Sequence, residues 1–202
     1  MKRLCAPVRT SLSALALLMA LSVQAKEPPA PKLGDRLPQQ TKAAAASSYR
    51  VIDWGQMLPK DWNPMKAFEG LNFAGLSDAD PRAAEAMKKI QEAWNDAPTE
   101  PTLNDQRVRI AGFVVPLDGG KDGLQELLLV PYYGACVHSP PPPANQIIHV
   151  RSSTPLKGVR MMDAIWINGT LKTEKSETTE GISGYTMVAD SFAPYQWPTQ
   201  RR

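Results

Sequence analysis

From position 107 the chain alternates between apolar and other residues. Val108, Ile110, Gly112 and Val114 interleave with Arg109, Ala111 and Phe113, a two-residue period that predicts a strand with glycine at a bend. Asp118-Gly119-Gly120 and Asp122-Gly123 carry turn chemistry. Residues 126–131, with Leu127, Leu128, Leu129 and Val130, form an apolar run short enough for a buried strand. Residues 146–150 predict a third strand and 160–167 a fourth, which runs into Asn168-Gly169, a hairpin turn or a strand bend. Residues 170–174 alternate again, Glu180-Gly181 turns, and 182–192 supply the last strand. Five or six strands in about 90 residues, joined by Gly/Asp turns, predict a small closed or half-open barrel. The fold class expected is mainly β with an N-terminal helix. A long, glycine-bent first strand and a helix outside the strand block make the barrel OB-like (oligonucleotide/oligosaccharide-binding type); a β-sandwich is the alternative.

The helix falls over 77–97. Asp80 can cap it, Pro81 suits its first turn, and Ala83, Met87, Ile90 and Trp94 line one apolar face. Pro98 and Pro101 stop it, and Glu85, Lys88, Lys89 and Glu92 face solvent. Before it, Trp54, Trp62 and Phe68, punctuated by Pro59 and Pro64, read as a packed irregular arm. The expected divisions are therefore an arm over 49–101 and a barrel over 102–195, with a frayed tail after Pro194.

Residues 26–48, rich in Pro, Ala, Lys and Gln, lack apolar periodicity and read as a flexible linker. Residues 1–25 read as a signal peptide. Lys2, Arg3 and Arg9 precede an apolar run over 12–23 that is short for a bilayer span, and Val23-Gln24-Ala25 suits cleavage after Ala25. Cys5 lies ahead of the apolar run, whereas a lipid-modified cysteine follows it, so no lipid anchor is expected. Export to a bacterial periplasm as a soluble protein is the simplest outcome.

Processing changes the charge balance. Lys2, Arg3 and Arg9 account for three of the 23 Lys and Arg, leaving 20 against 20 Asp and Glu. A nucleic-acid partner calls for a net basic surface, which the processed chain does not offer in bulk. Cys136 is then the lone cysteine in an oxidising compartment, where cysteines usually pair.

Cys136 sits in the chain's most singular stretch. Tyr132-Tyr133-Gly134-Ala135-Cys136-Val137-His138-Ser139 runs into Pro140, Pro141, Pro142 and Pro143, then Ala144, Asn145 and Gln146. His138 and His149 are the only histidines of the chain. On an extended segment Cys136 and His138 point to one side. Four prolines impose a stiff polyproline path that leaves the barrel after His138 and rejoins it near Gln146. His149, facing the same side as Ile147, can then approach the pair, while Asn145 and Gln146 orient the loop by side-chain hydrogen bonds.

Three readings follow. Cys136 and His138, with His149, are ligands for Zn²⁺ or a copper ion, although the Cys-x-His spacing is less specific than paired CxxC units and no fourth ligand is evident. Alternatively, Cys136 is a nucleophile paired with a histidine and oriented by Asn145, as in thiol hydrolases. In the third, Cys136 is a buried small residue and the chain a metal-free structural adaptor. The prolines with Tyr132 and Tyr133 then shape a partner-binding groove, and aromatic–proline stacking makes that surface firm.

Gly112-Phe113-Val114-Val115-Pro116-Leu117, Leu128-Leu129-Val130-Pro131-Tyr132-Tyr133-Gly134-Ala135-Cys136-Val137-His138, the four prolines, Asn145 and Gln146 resemble the signature of the bacterial domain-of-unknown-function family 3299. The likeness extends over roughly 107–192. Members of that family are exported, many of them lipid-anchored, which this chain is not expected to be. They often occur beside genes for an ABC-type permease and ATPase, in some bacteria within zinc-responsive clusters. The resemblance thus implies a periplasmic binding or accessory protein working with an ABC-type inner-membrane transport system, with zinc as the candidate metal. It carries no established activity.

Overall fold

A computed structural model describes residues 30–38, 48–71, 77, 80–119, 122–135 and 141–198. Strand β1 (Arg50–Val51) opens an arm that continues through short 3-10 turns at Trp54–Met57 and Pro64–Phe68 to helix α1 (Pro81–Asn95). After a further turn at Pro101–Leu103 come β2 (Gln106–Pro116), β3 (Leu124–Val130), a turn at Ala144–Gln146, β4 (Ile148–Leu156) and β5 (Ala164–Lys172). A hairpin of β6 (Ser176–Thr178) and β7 (Gly181–Ser183) precedes β8 (Tyr185–Pro194).

Five of these strands close on themselves. β2 pairs antiparallel with β3, β3 antiparallel with β4, β4 parallel with β8, β8 antiparallel with β5, and β5 antiparallel with β2. This is the OB-like barrel, with β1 added parallel to β2 at Val108 and Arg109, on the edge that β3 does not reach. Closure rests on a change of partner along β2, which pairs with β5 from Gln106 to Phe113 and with β3 from Phe113 to Pro116. Gly112 stands at that handover. A Cβ there would lie 2.6 Å from Leu129 Cγ and 3.0 Å from the Val130 carbonyl oxygen, so only glycine lets the bent strand approach β3.

Asn168-Gly169 is a bend and not a hairpin turn: both residues lie within β5, and the register against β8 shifts between them. The strand therefore begins later and ends later than the 160–167 run suggests, because Arg160 to Asp163 form a turn that Asp163 Oδ2 closes by accepting from Arg160 N at 2.9 Å. Similarly, the 182–192 run divides into β7 and β8 at Gly184.

The run Leu127-Leu128-Leu129-Val130 is apolar throughout because both its faces are covered. Leu127 and Leu129 point into the barrel with Val108, Ile110, Ile148 and Val150. Leu128 and Val130 point outward into a second cluster with Phe113, Val115, Ala135 and Ile147. Leu37, Tyr132, Tyr133 and Trp197 pack over this second cluster.

Two expectations are corrected here. Residues 30–38, assigned to a flexible linker, lie on the barrel: Gly34 N–H donates to Tyr133 O and Tyr133 N–H to Asp35 O, each at 2.9 Å. The tail beyond Pro194 is not frayed at its start. Tyr195 is buried, its N–H donates to Ala164 O, its hydroxyl donates to Pro38 O, and its ring stacks on Trp166 with Trp197 edge-on. Short apolar patches without periodicity hid both segments, since each contributes only one or two aromatic or branched side chains to the cover.

The helix follows its pattern. Asp80 accepts from Arg82 N, Pro81 opens the first turn, Ile90 is fully buried, and Trp94 packs edge-on against Phe68. The solvent face carries the i,i+4 pairs Glu85–Lys89 and Lys88–Glu92. Among the described residues no helix is long and apolar enough to cross a membrane.

Candidate functional site

The end of the proline stretch is built into the fold. Pro142 is buried, Pro141 and Pro143 are half-buried, and the chain enters a single 3-10 turn at Ala144–Gln146 directly before β4. Asn145 and Gln146 fasten this turn to the arm: Asn145 Nδ2 donates to Pro98 O at 2.8 Å and Gln146 Nε2 donates to Trp54 O at 2.9 Å. Both residues are buried, so their part in any docking is to hold the loop in place. Their side-chain amides thus tie two separate main-chain carbonyls of the arm to the turn. At the other end of the stretch, Tyr132 and Tyr133 are half-buried beside residues 30–38, Arg36 lying over the Tyr132 ring and Phe113 edge-on to Tyr133. Cys136, His138 and Pro140 lie outside the described residues.

His149 is placed as its strand position predicts, on the outer face with Ile147, while Ile148 and Val150 point into the barrel. It is 2 % exposed, and both ring nitrogens are engaged. Nε2 lies 2.7 Å from Glu126 Oε1 on β3, and Nδ1 lies 2.7 Å from Ser176 Oγ at the start of β6. Arg151 Nε donates to the same Glu126 oxygen at 3.2 Å. The Arg151 and His149 side chains hold the Glu126 carboxyl below the usual carboxylate range against the opposing effect of desolvation. Metal coordination by His149 therefore needs one of these two hydrogen bonds to open. Among the described residues no group of three or more His, Cys, Asp or Glu is arranged to hold a metal ion.

Glu126 and Ser176 were not singled out by the sequence. A lone carboxylate at an alternating position of the apolar 126–131 run was the available signal for Glu126. Ser176 offered none, since its hairpin is far from β4 in sequence. Nearby, a cleft of about 220 Å³ runs between the C-terminal end of α1 and the segments that flank the β6–β7 hairpin. Asn95, Asp96, Pro98, Thr173, Lys175 and Gly184 are among its lining residues, and Lys175 Nζ lies 2.7 Å from Asp96 Oδ1.

Fold and loop together define a small OB-like barrel with a helical arm, the arm and barrel joined through the proline stretch. The family described as "Protein of unknown function (DUF3299)" matches residues 54–194, and the chain belongs to that family. The match takes in most of the arm as well as the barrel. A crystal structure of a DUF3299 family protein from Pseudomonas aeruginosa PAO1 superposes with a TM-score of 0.60 at 29% identity, covering 75% of this chain and 99% of that one. An aspartyl tRNA synthetase from Entamoeba histolytica matches at a TM-score of 0.31 and 12% identity, covering 88% of this chain and 30% of that one, too loosely to bear on the fold. Comparison with curated proteins gives no match.

Proposed function

We propose that this chain is a soluble periplasmic binding or accessory protein that works with an ABC-type inner-membrane transport system in transition-metal homeostasis. The observation that carries the reading is the anchoring of the proline stretch. Its C-terminal end is held to the arm through Asn145 and Gln146, and Tyr132 and Tyr133 at its N-terminal end pack against residues 30–38. A surface fixed at both ends loses little conformational freedom on meeting a partner, which favours docking over loose encounter. In this reading Tyr132, Tyr133, Pro140, Pro141 and Pro143 form the docking surface, buried Pro142 supports it from beneath, and the partner is the permease side of the transporter.

Cys136 and His138 are the residues that would contact a metal, a thiolate and an imidazole suiting Zn²⁺. His149 is left out of the set because its two nitrogens are already taken. Metal analysis of protein purified without chelators tests this part: stoichiometric zinc in the wild type, lost in Cys136→Ala, is expected. Absence of metal from both proteins removes the metal from the proposal. Photo-crosslinking from position 133 in cells tests the partner, where the expected product is an ABC permease subunit and a product with any other protein overturns it. Rapid alkylation of Cys136 that zinc does not suppress would favour the thiol-enzyme alternative.

A further inference from the structure

The lower outer face of β3 and β4 carries a chain of three side chains that the reading above leaves unused. Glu126 pairs with Arg151 and Leu128 with His149, so Glu126 and His149 are diagonal neighbours on one face of the sheet. A carboxylate has no proton to give, so His149 Nε2 bears the hydrogen of the 2.7 Å contact with Glu126 Oε1. In the neutral ring Nδ1 is then the lone-pair nitrogen, and the Ser176 hydroxyl is the group that donates across the other 2.7 Å contact. A hydroxyl donating to a buried imidazole, which is oriented in turn by a carboxylate, is the arrangement that activates a serine.

Where this chain of groups lies is a second, independent observation. OB barrels take ligands on the outer face of their second and third strands and in the loops joining strands one to two and four to five. Here those strands are β3 and β4, and Ser176 lies in the connection between the fourth and fifth barrel strands, β5 and β8. The upper part of that face is covered by the outer apolar cluster. Its lower part, with half-exposed Ser176 and the solvent-reaching Glu126 and Arg151, is left open. Ser176 on this face is partly open to solvent, while the His149 ring behind it is buried.

We propose that Ser176, His149 and Glu126 form a nucleophile–base–orienter relay that transfers the acyl group of a small carboxylic ester to Ser176 and then to water. Ser176 Oγ bonds to the ester carbonyl carbon while its proton passes to His149 Nδ1. The carbon–oxygen bond to the alcohol then breaks, and the leaving oxygen takes the proton from Nδ1. Water attacks the acyl-serine as His149 accepts one of its protons, releasing the carboxylic acid and returning the serine proton. Glu126 stays ionised throughout, holding Nε2–H and stabilising the imidazolium. Neither Cys136 nor His138 takes part, so this relay stands or falls separately from the metal proposal.

The test is covalent labelling of the full chain by a small fluorophosphonate at neutral pH, with the modified residue located by peptide mass spectrometry. One label per chain on Ser176 is expected, absent in Ser176→Ala and at least about 100-fold slower in His149→Gln. Because His149 is buried, Glu126→Gln, at a carboxylate 41% exposed, provides a second variant; it should also slow labelling while thermal unfolding stays cooperative. A wild type that takes no label on Ser176, or that labels there at a rate unchanged by His149→Gln and Glu126→Gln, overturns the relay.

Discussion

Tyr185 shows at a single residue how the arm is held to the barrel. It is fully buried on β8, its hydroxyl donates to Met57 O at 2.7 Å, and it accepts from Glu100 N at 2.6 Å. One phenol thus closes two main-chain groups from separate parts of the arm. Tyr185→Phe keeps the ring but strands both groups, so a loss of about 1–3 kcal/mol in denaturant unfolding is expected. Burial also pushes the Tyr185 phenol up to about 12 from 10.0. The unfolded chain ionises this group first, so its contribution is whole below pH 10 and falls as pH rises towards 12. The melting temperature of the wild type should drop across that window, and that of Tyr185→Phe should lose this part of the drop. Glu126 has the opposite sign: its lowered carboxyl adds stability above the usual carboxylate range that is lost as pH falls through its folded value. Asn145 makes a different point. Its Nδ2 serves Pro98 O, but its Oδ1, fully buried, has no hydrogen-bond partner among the described residues. Asn145→Leu would strand the Pro98 carbonyl while removing an unpaired acceptor, so its cost belongs at the low end of about 1–3 kcal/mol.

At the scale of elements, strand period carried most of the information. Val108, Ile110 and Val114 alternate because β2 has one face in the barrel, and the helix face from Ala83 to Trp94 follows the same logic at helical period. Where two faces are buried, period fails. The 127–130 run identified a buried strand but not its two destinations, and nothing in the run marked the role of Glu126 at its edge. Asn168-Gly169 was ambiguous for another reason, since Asn-Gly favours hairpin turns and strand bends alike. Contact across the sheet resolves it: a Cβ on Gly169 would lie 2.3 Å from the Val188 carbonyl oxygen and 2.9 Å from Met187 Cγ. Backbone on the facing strand cannot rotate away as a side chain can. Gly169→Ala should therefore cost about 1–3 kcal/mol or more by overpacking. Equilibrium unfolding checks it, and an alanine variant of wild-type stability would show that the bulge slides to make room.

For the whole molecule the governing fact is that the barrel has two apolar layers, one inside and one on the outer surface of β2 and β3, completed by Ala135 and Ile147. The inner layer was legible because strand period reports it. The cover of the outer layer was not, because it comes from sequence-distant pieces: Leu37 from residues 30–38, Tyr132 and Tyr133 from the loop after β3, and Trp197 from the chain's end. The candidate site divides the same way. Asn145 and Gln146 were legible as loop-orienting amides beside donor-free prolines, whereas Glu126 and Ser176 meet His149 only through tertiary pairing. If the outer layer is a true second core, Tyr195 is its clasp. The ring stacks on Trp166 and meets Trp197 edge-on, and the hydroxyl reaches Pro38 O, so one side chain ties both ends of the described chain to the barrel. Tyr195→Ala removes the stacking and the tether while leaving the inner layer intact. The expected outcome is a loss of about 3–5 kcal/mol, with increased binding of a hydrophobic dye and altered near-ultraviolet dichroism. Far-ultraviolet dichroism should remain that of the closed barrel. A variant that loses its strand signal as well would mean that the inner layer does not hold the barrel without its outer cover.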